Sequence, residues 1–343
     1  MSVRLADAHD SDAVDAFVGA EEGASLYHLY RWRSVIEDCF GHRCLYLVRQ
    51  GDGGAIRGVL PLAHLRSALF GNFLVSLPYF NYGGVCAKDE ESRGLLVAEA
   101  ARLAAERGAS HIEFRQEHPL DGGLPSKTHK VSMRLDLPAT DGQLWTSLPS
   151  KLRSQIRRPR KEGMTVRTGG VEELDGFYEV FSVNMRDLGT PVYPKRFFRT
   201  MLDRFPGNAW ICTVRNGCTP VASGFLIGFK NRLEVPWASS LRKYNRLGPN
   251  MLLYWSCLEF ACKQGFRVFD FGRSTADGST YRFKEQWGAS PYPLHWHYWM
   301  AKGGALPEIN PENPRYRLAI RVWKRLPVPL TRLLGPSLVR NIP

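Results

Sequence analysis

The sequence predicts an α/β protein made of two tandem copies of one domain, each a mixed, mostly antiparallel sheet with flanking helices. Three observations carry that prediction. Cys44–Gly51 followed by the apolar run Ile56–Leu65 reads as a hairpin, and Trp210–Gly217 followed by Val221–Phe229 repeats it. The stretch Ala104–Phe114 matches Ala261–Phe271: a helix ends at Gly108 or Gly265, and a strand follows with an acid, Glu113 or Asp270, just before its last Phe. Glycine suits a helix end because the left-handed cap conformation costs it little. The two units also keep the same order along the chain, as tandem copies do.

The elements follow from periodicity and punctuation. Domain one, residues 1–138, opens with a strand at Val3–Leu5 and helices at Asp10–Val18 and Leu26–Phe40. Strands follow at Cys44–Arg49, Ala55–Leu65 and Phe73–Pro78, then a helix at Asp89–Arg107 and strands at His111–Gln116 and Val131–Leu137. Domain two, residues 139–302, starts with a helix at Gln143–Arg158 and a strand at Thr165–Thr168. Helices at Val171–Leu188 and Pro194–Phe205 precede the hairpin and a strand at Arg232–Ala238. The helix Pro249–Gln264 and strands Phe266–Phe271 and Leu294–Met300 complete it. A basic tail, residues 303–343, remains.

At 343 residues the chain is long enough for two cores, and 44% hydrophobic residues argue against disorder. The first residues lack an apolar signal-like run, and no stretch approaches a membrane span. Seven scattered cysteines without a CxxC give neither a disulfide framework nor a zinc site, so a reducing cytoplasm is the expected compartment. His295 and His297 share a strand face but have no nearby carboxylate or thiol, so no metal is expected. The net charge of +13 is concentrated: Lys151–Arg167 and Pro311–Pro343 each carry seven Lys/Arg and one acid. Local anion sites fit this better than general nucleic-acid binding.

The most telling segment is Phe266–Gly288, FRVFDFGRSTADGSTYRFKEQWG. An apolar strand carrying Asp270 stops at Gly272, and a polar turn leads to Tyr281, Phe283 and Lys284, with Trp287-Gly288 behind. This resembles the closing signature of the FemAB-like branch of the GNAT superfamily, and the resemblance spans about residues 1–300. It implies tandem GNAT-like domains and transfer of an acyl or aminoacyl group to an amine. It also implies no tightly bound cofactor, with aminoacyl-tRNA or acyl-CoA as co-substrate.

Amine acylation needs a deprotonated amine, a stabilised oxyanion and a proton for the leaving oxygen or sulfur. Lys284 is the candidate for the oxyanion or a donor phosphate. Asp270 would take the ammonium proton or orient the amine, or else be structural like Glu113. Tyr281 would return a proton and Phe283 would be a platform for the donor. Arg246, Gly248 and Asn250, at the start of the helix Pro249–Gln264, stand where acetyl-CoA-dependent GNAT enzymes bind pyrophosphate at a glycine-rich loop. Here one Gly is followed by Pro249, which has no amide donor.

Two further segments are candidates for substrate. In the helix Ser147–Arg158, Leu148, Leu152 and Ile156 make a buried stripe, and Pro159 is expected to end or kink it. Lys151, Arg153, Arg157 and Arg158 stay in solvent, resembling the basic helix that opens the second domain of FemAB-like proteins. A nucleotide sugar, a lipid pyrophosphate or tRNA would suit them. Tyr79, Asn81 and Tyr82 in Tyr79–Val85 resemble the Tyr-Gly-Gly loops of the acceptor cleft. No lysine of the kind some muramyl-peptide-binding relatives carry stands near Trp32.

The tail Asn313–Leu326 reads as one helix. Arg317, Arg321, Lys324 and Arg325 share one face; Leu318, Ala319, Val322, Trp323 and Leu326 share the other. Residues 313–334 therefore have the pattern of an anchor to an anionic membrane surface. The tail also resembles the FemAB-like proteins of the exosortase (PEP-CTERM) system and its exopolysaccharide clusters. Three functions stay open: transfer to an amine of an anionic envelope or exopolysaccharide precursor, lipid-linked or nucleotide-sugar, at the inner membrane face; acyl-CoA-dependent N-acylation; and a non-catalytic module holding an anionic polymer or tRNA.

Overall fold

The computed structural model describes all residues except 1, 69, 121, 302–305, 308–313 and 343, and side chains are not described for 314–316. The chain begins with β1 (Ser2–Leu5), α1 (Ser11–Ala20), α2 (Trp32–Phe40), β2 (Arg43–Gln50), β3 (Ile56–Ser67), β4 (Gly71–Val75), β5 (Cys86–Ala87), α3 (Glu90–Glu106), β6 (His111–Gln116) and β7 (Ser126–Lys127). It continues with β8 (Lys130–Asp136), α4 (Asp141–Ser147), α5 (Ser150–Lys161), β9 (Met164–Gly169), α6 (Leu174–Leu188), α7 (Lys195–Arg204), β10 (Ala209–Asn216), β11 (Thr219–Phe229) and β12 (Arg232–Ser240). Then come α8 (Pro249–Lys263), β13 (Val268–Thr275), α9 (Ser279–Glu285), β14 (Ser290–Pro293), β15 (His295–Met300), α10 (Pro314–Trp323) and α11 (Val328–Val339).

These elements form two compact units. The first is Met1–Lys130, Pro293–Ile309 and Arg340–Pro343; the second is Val131–Tyr292 and Asn310–Val339. Their sheets correspond strand for strand: β1-β2-β3-β4-β6-β15-β7 in the first and β9-β10-β11-β12-β13-β8-β14 in the second. Two helices follow the first strand of each (α1 and α2, α6 and α7), and one helix precedes the central parallel strand (α3 before β6, α8 before β13). Both long hairpins even shift register beside the aligned arginines Arg49 and Arg215.

The division differs from the cut expected at residue 138. The strand expected to close domain one, β8, lies beside β13, and β15, expected in domain two, pairs antiparallel with β6. Each sheet is thus completed by a strand from across the expected boundary. Neighbours in sequence are usually neighbours in space, but a sheet position is settled by long-range pairing that local pattern does not encode.

Two helices also differ from expectation. Leu26–Phe40 is broken: a 3₁₀ turn at Leu26–His28 is capped by reciprocal Ser25–His28 bonds, and Leu29 is extended before α2 begins. Gln143–Arg158 is two helices, because Leu148 and Pro149 are extended, with Pro149 as the N-cap of α5. Pro159 does not end α5, which runs on to Lys161 before Gly163, at φ +77°, turns the chain. The stripe Leu148, Leu152 and Ile156 is buried in the core of the second unit together with α8, which is buried on all sides from Leu252 to Leu258. Each such side chain contributes about 1.5–3 kcal/mol by leaving water, which leaves the basic face free to be chosen for other reasons.

Candidate functional site

The site forms where the central parallel strands of the second unit stop pairing. β12 and β13 pair only from Arg232↔Val268 to Glu234↔Asp270, although they run on to Ser240 and Thr275. A cavity of about 250 Å³ lies beyond the last pair. Ser239 and Ser240 of β12, Asn250 and Tyr254 of α8, Asn184 of α6 and Ser279, Thr280, Phe283 and Lys284 of α9 line it. The lining holds hydroxyls, amides and one cation.

Lys284 is only 6% exposed. Its Nζ donates to the carbonyls of Gly272 (2.8 Å) and Arg273 (3.0 Å). Burial disfavours the ammonium and brings its pKa down to about 8, with Arg273 adding to the effect, against the opposing pull of Asp270 and Glu234. Two of the three ammonium hydrogens are committed to the backbone, which leaves one for a group in the cavity that Lys284 lines.

Asp270 is fully buried and acts one step removed. Its Oδ1 accepts from Ser132 Oγ (2.6 Å) and from the Gly272 amide (2.8 Å), and its Oδ2 lies 3.5 Å from Arg134 Nε. It therefore pins the residue whose carbonyl holds Lys284. Gly272 sits at φ +75°, and a Cβ there would stand 3.2 Å from the Val235 carbonyl oxygen, so the turn requires glycine. Glu234, opposite Asp270 in register, is also buried.

The first unit repeats the acid without the lysine. β4 and β6 pair at Leu74↔Ile112 and Val75↔Glu113. Glu113 accepts from Arg115 Nε (2.8 Å) and from Tyr298 OH on β15 (2.7 Å). Burial opposes its ionisation, but Arg115 and then the Tyr298 hydroxyl outweigh it and hold Glu113 below the ordinary carboxylate range. Arg115 also donates to the Phe80 carbonyl (2.5 Å) and lies 4.5 Å from the Trp296 ring centre.

The structure gathers some of the expected residues and separates others. Lys284, Phe283 and Asn250 share the cavity. Tyr281 packs partly buried against the core and does not line it, being about 100° around α9 from Thr280. Gly248, at φ +76°, is the N-cap of α8; a Cβ on it would stand 3.6 Å from Pro159 of the basic helix. Arg246 is exposed in the preceding 3₁₀ turn. Lys151, Arg157 and Arg158 are exposed on α5, Arg153 is half-buried, and Arg157 lies over the Trp145 ring at 5.1 Å. Tyr79, Asn81 and Tyr82 belong to the first unit. Tyr79, at φ +75°, donates its hydroxyl to the Arg340 carbonyl (2.8 Å), and the Asn81 carbonyl accepts from Trp296 Nε1 (3.3 Å). Tyr82 lines a small cavity of about 120 Å³ with Gly83, Gly84 and Arg115. Leu77 is also at positive φ. Two such residues in one short loop store strain of the kind found around ligand-binding loops.

Sequence reasoning missed Ser132, Arg134, Glu234, Ser239 and Asn184. Glu234 carried a signal, an acid inside an apolar strand. The others did not, because alternating strands and amphipathic helices carry serine, arginine and asparagine routinely.

Residues 150–285 match the model described as acetyltransferase (GNAT) domain. The crystal structure of FemX is similar to the whole chain, with a TM-score of 0.68 at 14% identity, covering 93% of this chain and 100% of that one. The C-terminal domain of a putative lysylphosphatidylglycerol synthetase from Agrobacterium fabrum has a TM-score of 0.58 at 13% identity, covering 97% and 98%. A tandem GNAT protein from the clavulanic acid biosynthesis pathway has 0.51 at 14%, covering 89% and 99%. No curated protein matches by sequence. The second unit carries a GNAT acetyltransferase domain, and the chain as a whole has the tandem, FemAB-like form of that fold.

Proposed function

We propose that this protein transfers an acyl or aminoacyl group to a primary amine, with the chemistry at the Lys284 cavity. One observation carries the reading: a buried lysine, held by two backbone carbonyls, that keeps one N–H for the cavity. The neutral acceptor nitrogen attacks the carbonyl carbon of an ester or thioester, the C–N bond forms, the C–O or C–S bond breaks, and the proton shed by the nitrogen ends on the departing oxygen or sulfur. The Lys284 ammonium holds the oxyanion, or a phosphate of the donor. Asp270 is a positioning residue that acts through Gly272. Phe283 is a platform for the donor, and Asn250, Gly248 and Arg246 stand at its phosphate end. Tyr281 is assigned the proton relay to the leaving group, although it packs against the core and does not line the cavity.

The donor is aminoacyl-tRNA or acyl-CoA. The Pro249 opening of α8 has one amide fewer than a full pyrophosphate loop, which favours aminoacyl-tRNA. The basic face of α5, Lys151, Arg153, Arg157 and Arg158, serves its phosphates or those of an anionic acceptor. The acceptor is an amine on an envelope or exopolysaccharide precursor, lipid-linked or nucleotide-activated, met by Tyr79, Asn81 and Tyr82 at the inner membrane face. The exosortase-associated branch is the proposed setting. The competing reading is a binding module without turnover, favoured by the same missing amide. Labelled acyl-CoA and aminoacyl-tRNA, offered with a panel of amino sugars and lipid amines, separate the two. Under the first reading Lys284→Ala lowers transfer by about 10²–10³-fold; under the second no transfer occurs, and the variant binds anions as the parent does.

A further inference from the structure

The C-terminal helices present an ordered apolar face that the cavity chemistry does not use. Both are held to the second unit. On α10, Trp323 is buried and Ile320 packs against Gly189 at the end of α6. On α11, Thr331, Gly335 and Val339 are buried at four-residue spacing, and Arg332 Nε donates to Ser182 Oγ at 2.8 Å. That spacing marks the inward face of a helix.

The outward face is not polar. Leu333 is 74% exposed and Leu318 66%, and Val322, Leu330 and Leu334 are exposed too. Among the described residues eleven large hydrophobics are exposed, and six of them fall between Leu318 and Leu338. Single exposed leucines need no explanation, but six exposed apolar side chains within two successive short helices do. Its charge is one-sided. Arg317, Arg321, Lys324 and Arg325 are all exposed, and no Asp or Glu occurs after Glu312. At 100° per residue, Arg321 stands beside Leu318 and Val322 on the outward side of α10, and Arg325 follows two residues past its end.

We infer that α10 and α11 form a preformed surface that docks on a bilayer containing anionic lipid. The leucines enter the boundary between headgroups and acyl chains, and the arginines meet the phosphates. A protein partner would be expected to use an aromatic anchor, and Trp323 is turned inward. The structure therefore moves the insertion role from the expected Trp323 to the leucines of α11. The inference is independent of the proposed transfer reaction.

Co-sedimentation of the full chain tests it, using phosphatidylcholine vesicles and vesicles in which roughly one third of the lipid is phosphatidylglycerol. Binding to the anionic vesicles alone, weakening with salt, is expected. Replacing Arg321 and Arg325 together by Ala should weaken it about 25-fold, at about fivefold per basic residue. Leu333→Asp with Leu334→Asp should weaken it roughly tenfold or more. Because all four side chains are exposed, the unfolding temperature should not move. Equal binding to both vesicles, or binding untouched by either double variant, would overturn the inference. So would a dimer that the leucine variant dissolves without changing lipid binding, which would give the face to a second copy of the chain.

Discussion

Glu113 and Asp270 occupy the same place in the two units, and what stands two residues later separates a scaffold from a site. Each acid lies on the central parallel strand, in or next to the last pair made with its neighbour, and each accepts a hydroxyl from the strand on its other side, Tyr298 or Ser132. In the first unit the residue two further on is Arg115, whose guanidinium reaches back to the acid. In the second it is Gly272. With no side chain and a left-handed backbone, Gly272 offers its carbonyl to Lys284, which arrives from α9. One unit turns the cation at that position back on its own acid. The other leaves Asp270 to Arg134 and hands a carbonyl to Lys284, whose ammonium is lost as pH rises through about 8.

The comparison breaks first at Arg115. Arg115→Met leaves Glu113 buried and uncompensated and should cost about 3–5 kcal/mol in urea unfolding. Lys284→Met should behave in the opposite way, leaving stability unchanged or raised at pH 7. If both variants destabilise equally, the two cations do the same structural work and the contrast is lost.

For transfer the ranking reverses. Lys284→Ala should lower kcat/KM by about 10²–10³-fold, the usual loss on removing one oxyanion donor. Arg115→Met, where it folds, should leave a residual activity well above that. Comparable losses would move the chemistry away from the second unit.

Gly272→Ala sharpens the same point. The left-handed backbone and the Val235 carbonyl 3.2 Å from the new Cβ should cost about 1–3 kcal/mol. Transfer should fall with it, and the effect should not add to that of Lys284→Ala, since both act on one group. Full additivity in a double-mutant cycle would show that Gly272 does not act through the lysine.

A further effect, spread over more than two pH units, is a slope with pH. The folded pKa of Lys284 lies below its ordinary value, so the unfolded chain binds the proton more tightly. The penalty is complete below about pH 8 and is relieved as pH rises toward the ordinary value of 10.5, by on the order of 3 kcal/mol. Subtracting the unfolding profile of Lys284→Met from that of the parent should isolate this rise. Glu113 gives a slope of the same sign in the acid range: its folded pKa is depressed, so its stabilisation holds above the ordinary carboxylate range and is lost in acid.

Much of the fold is legible in the sequence because it is repeated and local. The helix-Gly-strand unit implies left-handed caps at Gly108 and Gly265, which stand at φ +60° and +80°, and its repetition pairs Glu113 with Asp270. The exchange of β8 and β15 is not legible, since a strand carries no mark of its sheet. Lys284 and Phe283 stand out by type and spacing. Ser132 and Arg134 do not, because their importance comes from lying beside β13, which only the unexpected pairing of β8 creates. Periodicity alone turns Trp323 outward with the rest of a wide apolar stripe, and packing against the second unit chooses one edge of that stripe.

The central claim is that Lys284 is a buried amine of lowered basicity held ready at the cavity. It is tested most directly by NMR titration of the protein with isotope-labelled lysine side chains, the Lys284 resonance being identified by its absence in Lys284→Met. A midpoint near pH 8, with the other lysines titrating higher, is the predicted result. A midpoint near the ordinary lysine value of 10.5 would contradict it.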